Sequence, residues 1–161
     1  MEAIIYESGT GFTKRYALML AEKLGLKAYS LKEAAGEVEK GARVLFLGWV
    51  RANEVQGLKK AQKSWEVKAV CAVGMFPESA ALAGLVASEN ALSCPLFLLR
   101  GGLDRSRLKG FNRLLISMLI KDMEREAKPE NAELLEVLKN GGDFVSEDNL
   151  SEVIAFMLMQ K

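Results

Sequence analysis

The sequence predicts an α/β fold in which a doubly wound, five-stranded parallel sheet carries helices on both faces. Three observations point there. Short apolar runs alternate with helical patterns between residues 3 and 99. The runs are continuously apolar rather than alternating, as strands buried on both faces are. Glycine stands at or just beyond the end of several of them, at Gly48, Gly74 and Gly101. A chain of 161 residues, 50% hydrophobic, suits one such unit over residues 1–161 and can bury a sizeable core.

Ala3–Tyr6 is the first strand, and Lys14–Leu24 follows with helical periodicity, Tyr16, Ala17, Leu20, Ala21 and Leu24 marking its buried face before Gly25 stops it. Leu26–Leu31 mixes Lys27 and Ser30 with apolar residues, which predicts an edge strand. Lys32–Lys40 is polar and predicts a connection with at most a helical turn. Arg43–Leu47 is the third strand, ending at Gly48; Asn53–Lys63 is a helix; Val67–Val73 is the fourth strand and Pro77–Ala91 an Ala-rich helix; Pro95–Leu99 is the last strand, closed by Gly101-Gly102. Three helical stretches and no further strand are expected after it. Asp104 to about Ala127 places Leu108, Phe111, Leu115, Met118, Leu119 and Met123 at helical spacings, with Arg105, Arg107, Arg113, Lys121 and Arg125 available to another face. That stripe is either core, or its Met-rich end and basic flank meet a partner or a membrane surface. Pro129–Lys139 and Asp148–Met159 are shorter helices around the Gly141-Gly142 turn.

The stretch Glu7–Thr13 carries the functional signal. A strand, a hydroxyl- and glycine-rich turn, then a helix make an anion cradle: Gly9 and Gly11 let backbone N–H groups turn inward, and the helix beginning at Thr13 aims unpaired amides and its positive dipole end at the same spot. Ser8, Thr10 and Thr13 can donate to phosphate oxygens without adding charge. The plainer alternative is that Ser8 and Thr13 only cap a helix, for which one such residue suffices. The chain has no GxxxxGK[ST], and Gly9 and Gly11 lack the third glycine of GxGxxG.

Composition excludes several classes. Lys+Arg 22 against Asp+Glu 21 gives a net charge of +1, so no nucleic-acid partner is indicated. The opening MEAIIYESG has no basic segment leading into an apolar one, and no run reaches the length of a membrane span, so a cytoplasmic protein is expected. Cys71 and Cys94 sit in or beside apolar runs and form no CxxC, which predicts buried thiols. With no histidine, His-based triads and His metal sites are out, no side chain is assigned as acid or base, and any catalysis rests largely on a cofactor.

In a doubly wound sheet ligands bind beyond the carboxyl ends of the strands, where strand order reverses. The segments leaving those ends are the glycine-rich turn, Gly48–Gly57, Gly74–Ser79 and Arg100–Arg105. Trp49 and Phe76 are the aromatics placed there; each either stacks on a flat ligand or packs its own loop.

The turn resembles the TxTGxT phosphate loop of flavodoxins, with Ser8 in place of the first threonine. More widely, the chain resembles the flavodoxin-domain family that includes the oxygen-independent protoporphyrinogen dehydrogenases, through YESGTGFTKRYA, SLKEA, LGWVRANEVQGLKK, LLRGGLDRSRLKGFNRLLISMLIKDM and FVSEDNLSEVIAFM. RGGLD and its following helix are the more specific part, since electron-carrier flavodoxins lack them. The resemblance implies a flavodoxin-like sheet in the order 2-1-3-4-5 and FMN as cofactor. It implies Ser8, Gly9, Thr10, Gly11, Phe12 and Thr13 around the phosphate, with the loops Gly48, Trp49, Val50, Arg51, Ala52, Asn53 and Gly74, Met75, Phe76 flanking the isoalloxazine. Relatives usually carry a glycine-rich loop with an aromatic near the position of Arg51. Here Trp49 either takes over the stacking or fills the pocket and excludes the flavin.

Electron-carrier flavodoxins are similar to one another in strong acidity, whereas this chain is near neutral and places Arg51, Arg100 and Arg105 at the ligand end. A cation beside the ring would favour the two-electron reduced anion by roughly a few kcal/mol at most. The resemblance implies an FMN-dependent oxidoreductase acting on a quinone, porphyrinogen or similar planar substrate, and the charges predict two-electron steps. The alternatives are an FMN electron-transfer protein docking to a redox partner, and a flavin-free binding module; the plainer reading of the arginines is a solvated rim.

Overall fold

The computed structural model describes every residue of the chain except Phe76 and Lys161. The first apolar run forms β1 (Ala3–Glu7), and Gly11, at φ 104, turns the chain into α1 (Phe12–Leu24). Gly25 ends that helix in the left-handed region, its amide bonded to the Ala21 carbonyl. The second strand is shorter than Leu26–Leu31: β2 covers Ala28–Ser30 because Ser30 is taken over as a helix cap. Its hydroxyl accepts from the Glu33 amide while the Glu33 carboxylate accepts from the Ser30 amide. This capping box starts α2 (Leu31–Glu37) where only a connection was expected.

β3 (Arg43–Arg51) does not end at Gly48 but runs three residues past it. It folds back through Ala52 and Asn53 into β4 (Glu54–Val55), antiparallel to its own end. The predicted Asn53–Lys63 helix therefore loses its first turn, and α3 spans Leu58–Ser64. β5 (Glu66–Gly74), α4 (Ala80–Glu89) and β6 (Leu96–Arg100) complete the sheet. Its five parallel strands run β2-β1-β3-β5-β6, which is the predicted order 2-1-3-4-5 and the flavodoxin-like arrangement.

Both faces of the sheet are covered, which is why the strands show no polar alternation. Ile4, Tyr6, Leu45, Leu47, Cys71 and Val73 pack under Tyr16, Leu20 and Leu24 of α1. Ala3, Ile5, Val44, Phe46, Val70 and Ala72 face the opposite way, onto Ala34, Leu58, Ala61 and Val86. Neighbours along each strand thus alternate between two apolar cores, the period-two pattern with no wet side.

After β6 come two strands that the sequence reading did not contain, β7 (Gly102–Leu103) and, further on, β8 (Gly142–Asp143), which form an antiparallel ribbon. Between them lie α5 (Gly110–Glu126) and α6 (Ala132–Asn140), and α7 (Ser151–Met159) closes over the α1 face. Leu103, Met123, Val137 and Leu138 form a third apolar cluster, joined by Leu108, Ile116 and Ile120. The α5 stripe differs from the expected one. Met123 is buried, but Phe111, Leu115, Met118 and Leu119 are exposed, because Ile116 and Ile120 take the inward side. No helix among the described residues is long and apolar enough to cross a membrane.

Candidate functional site

The order of strands puts the switch point between β1 and β3, whose carboxyl ends are the turn 8–11 and the β3–β4 hairpin. In the turn, the Ser8 hydroxyl oxygen accepts from the amides of Gly11 at 3.1 Å and Lys14 at 3.3 Å. Its own O–H remains to donate. The amides of Gly9, Thr10, Phe12 and Thr13 meet no acceptor among the described residues. They sit at the N-terminus of a 13-residue helix whose N-cap, Gly11, has no side chain to cap it and whose first turn holds no acidic residue. Thr13 is 1% exposed, whereas Thr10 is half-buried.

A cation stands over this turn, and it is not one of the three expected. Arg107 Nη1 donates to the Thr10 carbonyl at 2.9 Å and lies 3.0 Å from where a Cβ on Gly11 would be. Asp104 steadies it, with Arg107 Nε 3.1 Å from Asp104 Oδ2. The Ser106 hydroxyl, and then the Arg107 charge, hold the Asp104 carboxyl below the usual carboxylate range. The long helix does not begin at Asp104; a tight turn, Arg105–Arg107, comes first and sends its two arginines opposite ways. Arg105 donates to the carbonyls of Leu138 and Lys139 at the end of α6. Arg100 lies on the Phe144 ring, 3.7 Å from its centroid, and pairs with Glu133. Two of the three arginines expected to border a flavin ring are thus spent on holding the C-terminal segment. An aspartate three residues before an arginine, directly after RGGL, was the available signal for Arg107.

The 48–53 segment is a hairpin rather than an open loop. Val50 pairs with Val55 and Arg51 with Glu54, leaving Ala52 (φ 48) and Asn53 (φ 63) as a two-residue turn with both residues left-handed. Asn90, which caps the end of α4 and is 8% exposed, fixes it: its Oδ1 accepts from the Val55 amide at 2.9 Å and its Nδ2 donates to the Asn53 carbonyl at 2.8 Å. Gly48 is demanded by that hairpin, since a Cβ there would lie 2.5 Å from Val55 Cγ1. Trp49, half-buried, leans over the turn: a Cβ on Gly9 would be 3.4 Å from its Cε2. The Arg51 guanidinium carbon lies 5.8 Å from the Trp49 ring centroid.

Gly74 ends β5 beside this hairpin, and the nearest atom to a Cβ placed on it is Val50 Cβ at 4.0 Å, so the position is open. Its carbonyl accepts from the Gly101 amide at 2.7 Å. Met75 is half-buried and belongs to the apolar fringe of the third cluster. Phe76, the second stacking candidate, lies outside the described residues. A shallow cleft of about 560 Å³ opens beside Phe12, lined also by Leu103–Ser106 and Asn140–Asp143. It lies on the ribbon side of the turn and includes none of residues 48–53, nor Gly74 or Met75.

No protein-family model and no curated protein matches the chain. Among solved structures, a chain described as "Structure of a flavodoxin from the domain Archaea" is similar over 87% of this chain and 100% of its own, at 15% identity and a TM-score of 0.33. The fold assignment rests on strand order and pairing.

Proposed function

We propose that the chain binds FMN with its phosphate in the β1–α1 turn and works as a flavodoxin-like oxidoreductase on a quinone, porphyrinogen or similar planar partner. The observation that carries the reading is the turn itself: amides without protein acceptors at the start of a long helix, at the switch point of the sheet, under the guanidinium of Arg107. Such a concavity fits a phosphate dianion. Within it, Ser8 would hold the turn's shape and donate its O–H, Thr10 would donate at the rim, and the Gly9, Thr10, Phe12 and Thr13 amides would bind oxygens. Trp49 is the stacking surface and Gly74 the open wall across from it, with Val50 between them. Bound there, FMN supplies the redox chemistry, and the side chains bind and orient it. The two-electron preference now rests on Arg51 alone, the cation beside Trp49.

One observation favours a second reading. Trp49 already lies over Gly9, within 3.4 Å of where a Cβ there would be, and carries Arg51 on its ring, so a member of this fold that binds an anion without a flavin fits the same turn.

The test is titration of the purified chain with FMN, riboflavin and inorganic phosphate, followed by flavin absorption and fluorescence. FMN fluorescence should be quenched on binding. Thr10→Ala should weaken FMN about tenfold, as one hydrogen bond to a charged group is worth about 1.5 kcal/mol or more, and leave riboflavin unchanged. A colourless protein that ignores FMN but binds phosphate rejects the flavin and keeps the anion site. A redox titration resolving two one-electron steps would replace the two-electron oxidoreductase with an electron carrier.

A further inference from the structure

The cleft of about 560 Å³ on the ribbon side of the β1–α1 turn has no part in holding FMN, yet it shares residues with the phosphate site. The Phe12 amide is one of those without an acceptor in the turn, and the Phe12 ring lines the cleft. That ring lies against the backbone of Gly102, where a Cβ would come within 2.9 Å of its Cε1. Asp104 joins the two places a second time, since it lines the cleft and holds Arg107 over the turn. A group carried on a phosphate in the turn therefore has two ways out, toward Trp49 or past Phe12.

Two polar side chains of the lining have free capacity. Arg105 gives only Nη1 to the carbonyls of Leu138 and Lys139; its Nε and Nη2 meet no acceptor, and no carboxylate pairs with it, among the described residues. A guanidinium in that state keeps the donors that suit a phosphate. Asn140, the last residue of α6, makes no side-chain hydrogen bond among the described residues, so its carboxamide offers both donors and an acceptor. The carboxylates are already answered, Asp143 by Arg15 and Asp104 by Arg107. The cleft thus combines a cation two residues before the one over the turn, an aromatic ring and an open amide. An apolar ligand would strip water from Arg105 and Asn140 without replacing their hydrogen bonds. An inorganic anion would leave the ring unused. A nucleoside joined through a phosphate uses all three, and the volume lies within the roughly 300–1,000 Å³ of small-molecule sites.

We propose that the cleft holds the nucleoside arm of a dinucleotide whose flavin-side phosphate lies in the β1–α1 turn and whose second phosphate meets Arg105, so that the flavin is carried as FAD. The proposal rests on the turn being the phosphate site. The purified full chain is titrated by calorimetry with FAD, FMN and ADP. FAD should bind at least tenfold more tightly than FMN, because its second arm adds contacts without a second encounter. ADP, with its outer phosphate in the turn, should displace FMN. Arg105→Gln and Asn140→Ala should each weaken FAD and ADP about tenfold and leave FMN unchanged, which also shows the turn intact in both variants. Asn140 is exposed, so its truncation leaves the packing of α6 as it is. FAD binding no tighter than FMN, or both flavins weakened alike by Asn140→Ala, overturns the inference and keeps the FMN reading. ADP binding that both variants weaken, with neither flavin bound, rejects the flavin and keeps the nucleoside arm. A chain that binds neither FAD nor ADP overturns the inference.

Discussion

At Gly48 a Cβ would lie 2.5 Å from Val55 Cγ1 and 2.6 Å from the Gln56 carbonyl oxygen. The carbonyl belongs to the hairpin, whose return strand is pinned by Asn90, so it cannot retreat. Gly48→Ala is therefore expected to cost about 2 kcal/mol, the scale of an overpacked interior, seen as a lower urea midpoint at unchanged slope. That glycine was visible in the sequence, but its cause was not: a glycine after a strand is equally consistent with close approach of a ligand and with close approach of the chain's own backbone. The arginines show the same limit. Their presence at the ligand end could be read from the chain, yet which one reaches the turn depends on the Arg105–Arg107 turn, which aims Arg105 at α6 and Arg107 at Thr10. Ser8, Thr10 and Gly11 were legible because strand, turn and helix follow one another without a gap, so local geometry alone places them.

Among the elements, the β3–β4 hairpin holds the most instructive turn. Type I′ turns ask for Asn or Gly at both central positions, and this one has Ala52 at φ 48. An alanine held left-handed costs about 1 kcal/mol or more, part of which a glycine would give back as unfolded-state entropy. Ala52→Gly should accordingly stabilise the chain by about 0.5 kcal/mol, a rise in Tm of about 1–2 °C by differential scanning calorimetry. The same alanine hid the hairpin, since RANE lacks the Asn-Gly signal and continues smoothly into a helical pattern. Two-residue strands such as β7 and β8 have no periodicity to read; they exist because Gly102 admits the Gly142 backbone against it, a long-range fact. α2 is different: the polar stretch reads as a connection, but the signal for a helix was present, since Ser30 and Glu33 stand at capping-box spacing.

Over the whole molecule, the sheet order was legible because five continuously apolar runs require cover on both sides, and crossovers of one hand leave few ways to arrange them. The covering of α5 was not, because its two apolar stripes compete for one inward side, and only the third cluster decides between them. Arg107 ties these two regions together. It bonds to the turn at Thr10, and three residues later Gly110 begins the helix whose far side is bare. Arg107→Met should weaken FMN about tenfold in a fluorescence titration, the loss of one hydrogen bond to a charged group, and leave riboflavin unchanged. The guanidinium is anchored by the Thr10 carbonyl and the Asp104 carboxylate, so an incoming anion would meet a counter-charge already in position instead of having to recruit one.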